Sequence, residues 1–300
     1  MKVADYVEGA MINKESQTVF RLTMRYFKRI VKHTRYFQKA SCLVYVCLLL
    51  VVPFYVSAAD NKIDPSNPTQ LNTSFNPGLD YRKVGDATVK SLIAEAQVAG
   101  PGFLLLAELG YGENSKTGKS DWRDTRVRFF HLPYENDSSD ALVNAFGWSV
   151  DVFVPMSEYK NGVSGGYRII SPGIITAHNL SWGSLYPNLI YNFSEAIDDD
   201  LKNQLNNQGE STDNESIRLD FNISPKLPDP WYLMIVPAYT WGVQDASDSA
   251  YLRLFGGRFM TEKGAINLET QYNLEKRDGS LKSVDQGEKY YVRLSWYQYF

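Results

Sequence analysis

Charged side chains alternate with apolar ones along several segments of this chain. In residues 215–223, Arg218 and Asp220 alternate with isoleucine, leucine and phenylalanine, and Glu269 occupies the same kind of position in residues 265–275. A period of two places alternate side chains on opposite faces of a strand, so these charges share one face. Arginines and carboxylates that meet in a narrow space either form a filling salt-bridge network or leave a charged passage that selects solutes. The sequence leaves both interpretations open.

Further ionisable residues fall on the polar side of other predicted strands. The candidates for a polar lining are Glu95, Glu108, Arg126, Arg128, Asp151, Arg168, Arg218, Asp220, Arg253, Glu269 and Arg293. If they line a passage, neutralising Arg218 or Glu269 is expected to alter ion selectivity. If they are scaffold, selectivity is expected to stay unchanged.

Hydrolysis is the other chemistry to consider, because a histidine beside a serine can form a nucleophilic pair. Beyond residue 59 the chain contains two histidines, His131 and His178, and only His178 has a hydroxyl nearby, that of Ser181. Their spacing differs from the His-x-Ser arrangement of outer-membrane phospholipases, and the segment falls at a predicted turn. We therefore expect no enzyme, no cofactor and no metal site, since the acidic run 198–200 also lacks the spaced ligands of a calcium loop.

The composition favours an all-β fold. The 300 residues include 20 Tyr, 15 Phe, 6 Trp and 21 Gly, with a formal net charge of −3. Aromatic residues favour strands, whereas glycine favours turns. Disordered, coiled-coil and basic nucleic-acid-binding classes are excluded on the same grounds, so we expect no nucleic-acid partner.

The N-terminal region has the pattern of an export signal. Residues 25–39 carry six Lys/Arg and no acid, and residues 40–59 carry no charge and end in Ser57-Ala58-Ala59. A basic stretch, an apolar stretch and a small-residue site predict a cleaved signal peptide over residues 1–59. An uncleaved membrane anchor is the alternative, and translation starting at Met11 or Met24 would shorten the basic stretch. Both cysteines of the chain lie within this region.

Hydrophobic alternation predicts a series of strands after residue 69. Residues 60–69 are interpreted as a periplasmic lead-in and residues 70–300 as the folded domain. The predicted strands cover residues 70–83, 88–99, 103–112, 125–133, 141–156, 165–178, 185–194, 215–223, 231–243, 250–261, 265–275 and 289–300. Most exceed the usual strand length of soluble sheets, about 5–6 residues, and match the roughly 9–11 residues that a membrane strand needs.

Long and short connections alternate between these strands. The long set comprises residues 113–124, 157–164, 195–214, 244–249 and 277–288, and the short set comprises 100–102, 134–140, 179–184, 225–230 and 262–264. Outer-membrane barrels have long extracellular loops and short periplasmic turns. The phase places the C-terminus in the periplasm and requires an even strand number, which gives about 12.

Aromatic spacing supports a membrane band. Trp231 and Trp241 lie ten residues apart on one face of one predicted strand. A tilted strand of that length rises by about 25 Å, the height of the apolar band between the aromatic girdles of such barrels. Tyr290 and Phe300 repeat this spacing on the last strand.

The last strand carries a recognisable feature. Residues 290–300 end in Phe300, with Trp296 on the same face, and resemble the terminal insertion signal of bacterial outer-membrane β-barrel proteins; Gln298 departs from the usual pattern. The layout around residues 171–177 and 186–193 also resembles outer-membrane transporters of the MetA phenol-degradation type. The first resemblance implies recognition by the barrel-assembly machinery.

These observations predict a transmembrane antiparallel up-and-down β-barrel of about 12 strands in the outer membrane of a Gram-negative cell. It would act as a porin-like passive channel or transporter for small molecules, hydrophobic or aromatic solutes among them, with membrane lipid, the assembly machinery and a solute as partners. A soluble periplasmic barrel that binds a ligand is the first alternative, and an outer-membrane lipid hydrolase is the second. Alternation alone does not distinguish the first two, since turning the faces around leaves the pattern unchanged.

Overall fold

The computed structural model describes residues 63–136, 138, 141–243, 248–277, 280–283 and 288–300. The predicted signal peptide, both cysteines and residues 60–62 lie outside the described residues. The rest of the chain is dominated by strands. Within it, no helix is long and apolar enough to cross a membrane.

In the described part of the chain, twelve long strands form the wall, and two short strands extend its hairpins. In chain order they are β1 (Ser74–Val84), β2 (Ala87–Gly100), β3 (Phe103–Asn114), β4 (Lys119–Trp122), β5 (Thr125–Glu135), β6 (Ala145–Val154), β7 (Tyr167–Leu180), β8 (Gly183–Ala196), β9 (Asp213–Pro225), β10 (Trp231–Gly242), β11 (Ser249–Thr261), β12 (Gly264–Arg277), β13 (Ser280–Ser283) and β14 (Glu288–Tyr299). The short strands are β4, which pairs with β3, and β13, which pairs with β12.

The sheet closes on itself. Each long strand pairs antiparallel with the next along the chain, and β1 pairs with β14, for example Asp80 with Arg293. Closure removes the unpaired edges that an open sheet of this size would expose. The prediction of an all-β, up-and-down barrel of about 12 strands is confirmed.

The connections also alternate in length as predicted. The end of the barrel that carries residues 115–124, 155–166 and 197–212 is called the long-loop end; the opposite end, with residues 101–102, 181–182 and 262–263, is the short-turn end. The first hairpin is the exception at the long-loop end, because two residues join β1 to β2. Gly85 has φ of 53° there, a value that favours glycine.

Among the described residues, one α-helix, α1 (Asp199–Gln208), lies in the longest loop, and a single 3-10 turn (Tyr159–Asn161) lies between β6 and β7. Asp198 caps α1 by accepting hydrogen bonds from the backbone N–H groups of Asp200 and Leu201. Leu201 packs with Tyr167 and Ala196, which are cross-strand partners on β7 and β8 and so share one face of the wall. That face is the inner one, because Tyr167 has the same parity along β7 as Ser171, the partner of the buried Asp151. The helix therefore folds back over the mouth at the long-loop end.

The outer surface is apolar in the middle of the wall. Leu92, Leu79, Leu294 and Leu268 are consecutive cross-strand partners on β2, β1, β14 and β12, so they form one row. All four are exposed, Leu92 by 64% and Leu294 by 50%. A continuous apolar row of this kind is unfavourable in water and is the surface that a lipid bilayer covers.

Placing a charge on this row is expected to prevent stable insertion. Leu294→Lys should cost about 2–4 kcal/mol if the position lies near the bilayer midplane. The measurement is the folded fraction, read by electrophoretic mobility without boiling, after refolding into vesicles. Leu294→Met is the control and should fold like the unmodified protein. Equal folding of Leu294→Lys would show that this surface does not contact lipid.

Candidate functional site

The inner wall carries the charged residues that the sequence pointed to. The structure places ten of the eleven lining candidates on the inward face: Glu95, Glu108, Arg126, Arg128, Asp151, Arg218, Asp220, Arg253, Glu269 and Arg293. Cross-strand partners share a face, so pairs such as Glu108 with Arg126 and Arg128 with Asp151 define it directly.

Arg168 is the exception, and its assignment to the lining is a correction. The inward Asp151 of β6 pairs with Ser171 of β7, so Ser171 and every second residue from it point inward. Arg168 has the opposite parity and forms an ion pair with its cross-strand partner Glu195 on the outer face near the long-loop end. Both faces of β7 are apolar at Ile169, Ile170, Ile174 and Ile175, so alternation does not show which side is outward.

One carboxylate organises the first charge cluster. Asp80 forms ion pairs with Arg82 at 3.0 Å, Arg123 at 2.7 Å and Arg293 at 3.2 Å. Its side chain is fully buried. Arg293 also reaches Glu108 at 2.9 Å. Asp80, Arg82 and Arg123 are not among the predicted lining residues, although Asp80 and Arg82 alternate with Leu79 and Tyr81 in a detectable pattern.

A second cluster lies farther round the same wall. Asp151 of β6 accepts a hydrogen bond from Nε of Arg126 at 3.0 Å. It accepts two more from nitrogens of Arg128, at 2.8 and 2.6 Å. Two-point contact between a guanidinium and a carboxylate fixes the orientation of both groups. Arg126 also lies over the ring of Phe153, which contributes a cation–π contact at 5.6 Å.

The opposite wall combines arginines with tyrosines. Nε of Arg218 lies 3.0 Å from Asp220, and the Tyr251 hydroxyl donates to Asp220 at 3.0 Å. Arg253 lies 3.7 Å from Glu269. The hydroxyl of Tyr291 donates to Glu269 at 2.5 Å. Asp220 and Glu269 therefore each accept a hydrogen bond from a phenol and each form an ion pair with a guanidinium.

Glu95 is held differently from the other inward carboxylates. Its Oε1 accepts from the side-chain amides of Asn76 at 2.8 Å and Gln97 at 2.7 Å. Both amides belong to inward positions of β1 and β2. Glu95 is buried, so these neutral donors supply the hydrogen bonds that water would otherwise give.

Residues 63–73, here called the inner segment, lie within the barrel at the short-turn end. Two consecutive turns shape them, because Asp64 accepts from the N–H and hydroxyl of Ser66, and Asn67 accepts in the same way from Thr69. Ser66 contacts the inward Ser224 at 2.6 Å between hydroxyl oxygens. The sequence contains this signal as the paired runs Asp-Pro-Ser and Asn-Pro-Thr.

Two further contacts hold the inner segment against the wall. Leu71 packs on a cluster of inward apolar residues from β3, β5, β6, β7 and β8, namely Leu104, Leu106, Phe130, Leu132, Ala145, Ile175, Ala177 and Tyr186. The backbone N–H of Ala99 donates to the hydroxyl of Thr73 at 3.1 Å. The segment therefore reduces the open cross-section near the short-turn end.

Aromatic rings line the inner wall at the same end, on β10, β11 and β14. Tyr232 lies 5.9 Å from Phe255 and 5.5 Å from Phe259 between ring centroids. Tyr297 continues the series, at 6.0 Å from Phe255 and 5.9 Å from Tyr299. The lumen is thus charged in its middle, and one side of it is aromatic toward the short-turn end.

The predicted girdle residues lie on the outer face. Trp231 and Trp241 are exposed at opposite ends of β10. Trp231 lies under the guanidinium of Arg258, whereas Tyr290 near the long-loop end stacks on Tyr81 with centroids 6.3 Å apart.

Trp296 and Phe300 complete the predicted girdle and insertion signal; Trp296 lies on β14, and Phe300 follows it. Trp296 faces outward on β14, in register with Ile266. Phe300 is exposed, and its backbone N–H donates to the carbonyl of Thr73. Their recognition by assembly factors stays a prediction.

The hydrolase alternative finds little support in the contacts of its histidine. The ring of His178 contacts the Thr176 hydroxyl at 2.9 Å and the Leu142 carbonyl at 2.7 Å. Neither partner is the serine that this alternative requires. His131 likewise contacts the Gly102 carbonyl and lies beside Trp148, an arrangement typical of packing at the end of a strand.

Comparisons with known proteins support the fold. No protein-family model and no curated protein matches the chain. A solved structure, the COG4313 outer membrane channel from Pseudomonas putida F1, is similar over 82% of this chain and 100% of its own, with 13% identity and a TM-score of 0.50. Two further structures are the KdgM porin (11% identity, 76% and 99% coverage, TM-score 0.47) and the NanC porin (10%, 75% and 99%, 0.48).

Identities this low concern the fold alone. Together with the closed wall, its apolar outer row and its charged interior, the likeness defines the class: a β-barrel of the outer-membrane type. The two resemblances noted in the sequence, to the insertion signal and to the MetA-type transporters, stay predictions.

Proposed function

We propose that this protein is an outer-membrane channel through which small solutes pass passively. The observation that carries the proposal is the division of the wall into an apolar outer row and a charged inner face. Charges on an inner face keep water in the barrel, and an apolar exterior matches lipid. The likeness of fold to the P. putida channel supports the same conclusion.

The passage would be narrow. A barrel of around eight strands is filled by side chains, and 16–18 strands open an aqueous pore, so 12 strands leave limited room. The inner segment reduces that room further. The aromatic rings around Tyr232 and Tyr297 favour solutes with an apolar body, and this supports the proposal that hydrophobic or aromatic molecules are among those carried.

The soluble alternative conflicts with the exterior. A ligand-binding barrel in the periplasm would turn its leucines inward and its charges to water. Here the row from Leu92 to Leu268 is exposed, whereas Asp80 and Asp151 are buried. That alternative is not favoured.

Two measurements test the proposal. The unboiled protein from the outer-membrane fraction should migrate differently from the boiled protein, since closed barrels resist SDS until heated. Purified protein in planar bilayers should then give discrete ion currents. A soluble protein without heat-dependent mobility, or a folded barrel without current at any salt concentration, would contradict the proposed function.

Loss of the last residue is expected to impair assembly. Deleting Phe300 should lower the amount of heat-modifiable barrel in the outer membrane several-fold, because the residue belongs to the proposed insertion signal. The same variant should refold in detergent, since Phe300 is exposed and makes one backbone hydrogen bond to Thr73. The control is Gln298→Phe, which restores the usual pattern. Normal assembly of the deletion variant would remove the signal interpretation.

A further inference from the structure

The charges that a solute meets inside the barrel differ from the formal charges of its wall. In the described inner-face pairs that involve Asp80, Glu108, Asp151, Asp220 and Glu269, the arginine side chain is the more exposed partner; Arg82 and Glu288 are equally exposed. Arg128 is 30% exposed against 7% for Asp151, and Arg253 is 28% exposed against 13% for Glu269. The carboxylates are short and stay near the wall, whereas the guanidiniums extend toward the axis. The accessible surface is therefore positive.

Several of these carboxylates also accept hydrogen bonds from the wall itself. Asp151 accepts from two arginines on both of its oxygens. Asp220 and Glu269 each accept from a tyrosine hydroxyl on the oxygen that also faces an arginine. A cation that enters the barrel therefore competes with these donors for each carboxylate.

Arg128 and Arg253 lie on opposite sides of the lumen. Arg128 belongs to β5 and Arg253 to β11, which lie six strands apart in the ring of twelve. Both side chains point inward from the wall. An anion on the axis between two guanidiniums is attracted by both of them.

The bonding of each arginine leaves capacity for a ligand. Arg128 uses Nε and one terminal nitrogen on Asp151, so its other terminal nitrogen has no contact with that carboxylate. Arg253 is 3.7 Å from Glu269, beyond hydrogen-bond distance, and its buried Nε has no hydrogen-bond partner. A carboxylate offers the paired oxygens that guanidinium groups bind best.

We propose that Arg128 and Arg253 form a binding site for carboxylate anions across the lumen, and that the passage selects small organic acids. This inference rests on the proposed channel function and names the class of its solutes. The aromatic rings around Tyr232 and Tyr297, toward the short-turn end, accommodate the apolar body of such an acid. The carboxylate would then be the group that the two arginines hold.

The first test is the ion selectivity of the purified barrel in planar bilayers under a KCl gradient. The reversal potential is expected to show a chloride-to-potassium permeability ratio of about 3 or more, which falls to about 1 in the double variant Arg128→Gln/Arg253→Gln. The matched control is Arg258→Gln, which neutralises an outward arginine beside Trp231 and should leave the ratio unchanged. Heat-dependent mobility verifies that each variant is folded.

The second test uses citrate as the probe. Citrate should reduce the chloride current of the unmodified protein in a concentration-dependent manner and should do so at least tenfold less effectively in the double variant. Arg128→Lys should preserve anion selectivity but weaken the effect of citrate, because an ammonium group does not offer the two parallel donors of arginine.

The outcomes separate the two proposals. A folded barrel that conducts but prefers potassium, or a double variant that keeps the selectivity and the citrate effect, would overturn the carboxylate site and leave the channel function intact. A folded barrel without any current would overturn the channel function, and the solute class with it.

Discussion

Deletion of residues 63–72 is expected to raise the single-channel conductance of the barrel several-fold. These residues make up nearly all of the inner segment, which lies within the lumen at the short-turn end. Ser66 bonds to Ser224 there, and Leu71 packs on inward apolar side chains. Because ionic current scales with the open cross-section, removing the segment should widen the narrowest part. Thr73 is retained, since its hydroxyl accepts a hydrogen bond from Ala99.

The barrel itself should survive this deletion. The wall is closed by the pairing of β1 with β14, which starts at Ser74 and does not involve the removed residues. Heat-dependent mobility should therefore persist. The double variant Ser66→Ala/Leu71→Ala keeps the chain length but weakens both contacts, and it should give currents that fluctuate between the two conductance levels. Unchanged conductance after deletion would show that ions pass the segment without restriction.

The elements of this fold were predictable because each strand separates two environments. On β9, Ile217, Leu219 and Phe221 alternate with Arg218 and Asp220, and the structure turns the two sets to opposite faces. The long-loop end was predictable for a related reason. The polar segments between strands lack the alternation of a strand, so their lengths could be compared from the sequence. Local alternation therefore predicts both the positions of the strands and the lengths of the connections between them.

The phase of β7 was not predictable in this way. Isoleucines occupy both of its faces, because its inward side packs on the inner segment and on Tyr186 rather than on water. Arg168 was consequently assigned to the wrong face. An apolar residue on a strand indicates burial against some partner, and the sequence does not say whether that partner is lipid or protein.

The central charge cluster required the three-dimensional structure for another reason. Asp80 meets Arg123 and Arg293, which are 43 and 213 residues distant in the sequence. Their meeting depends on the closure of β1 on β14 and on the path of the chain between β4 and β5. No local pattern encodes such a contact. The inner segment is a similar case, because its turns are local but its position in the lumen is not.

Asp80→Asn is expected to destabilise the folded barrel by about 3–5 kcal/mol, the usual cost of removing one partner from a buried ionic group. The amide preserves the shape of the carboxylate but leaves Arg82, Arg123 and Arg293 together with one negative charge fewer. The measurement is the urea concentration at which the heat-dependent mobility is lost after equilibration in vesicles. Asp86→Asn in the adjoining turn is the control, since Asp86 is exposed and its neutralisation should change stability by less than about 0.5 kcal/mol.

The double variant Asp80→Asn/Arg123→Gln tests the electrostatic cause. If repulsion among the three guanidiniums produces the loss, removing one of them should restore part of the stability although a further side chain has changed. If the loss instead came from altered packing, the second substitution would add to the first. Equal stability of Asp80→Asn and the unmodified protein would mean that water in the lumen screens these arginines, and the first charge cluster would then have no part in holding β1 to β14.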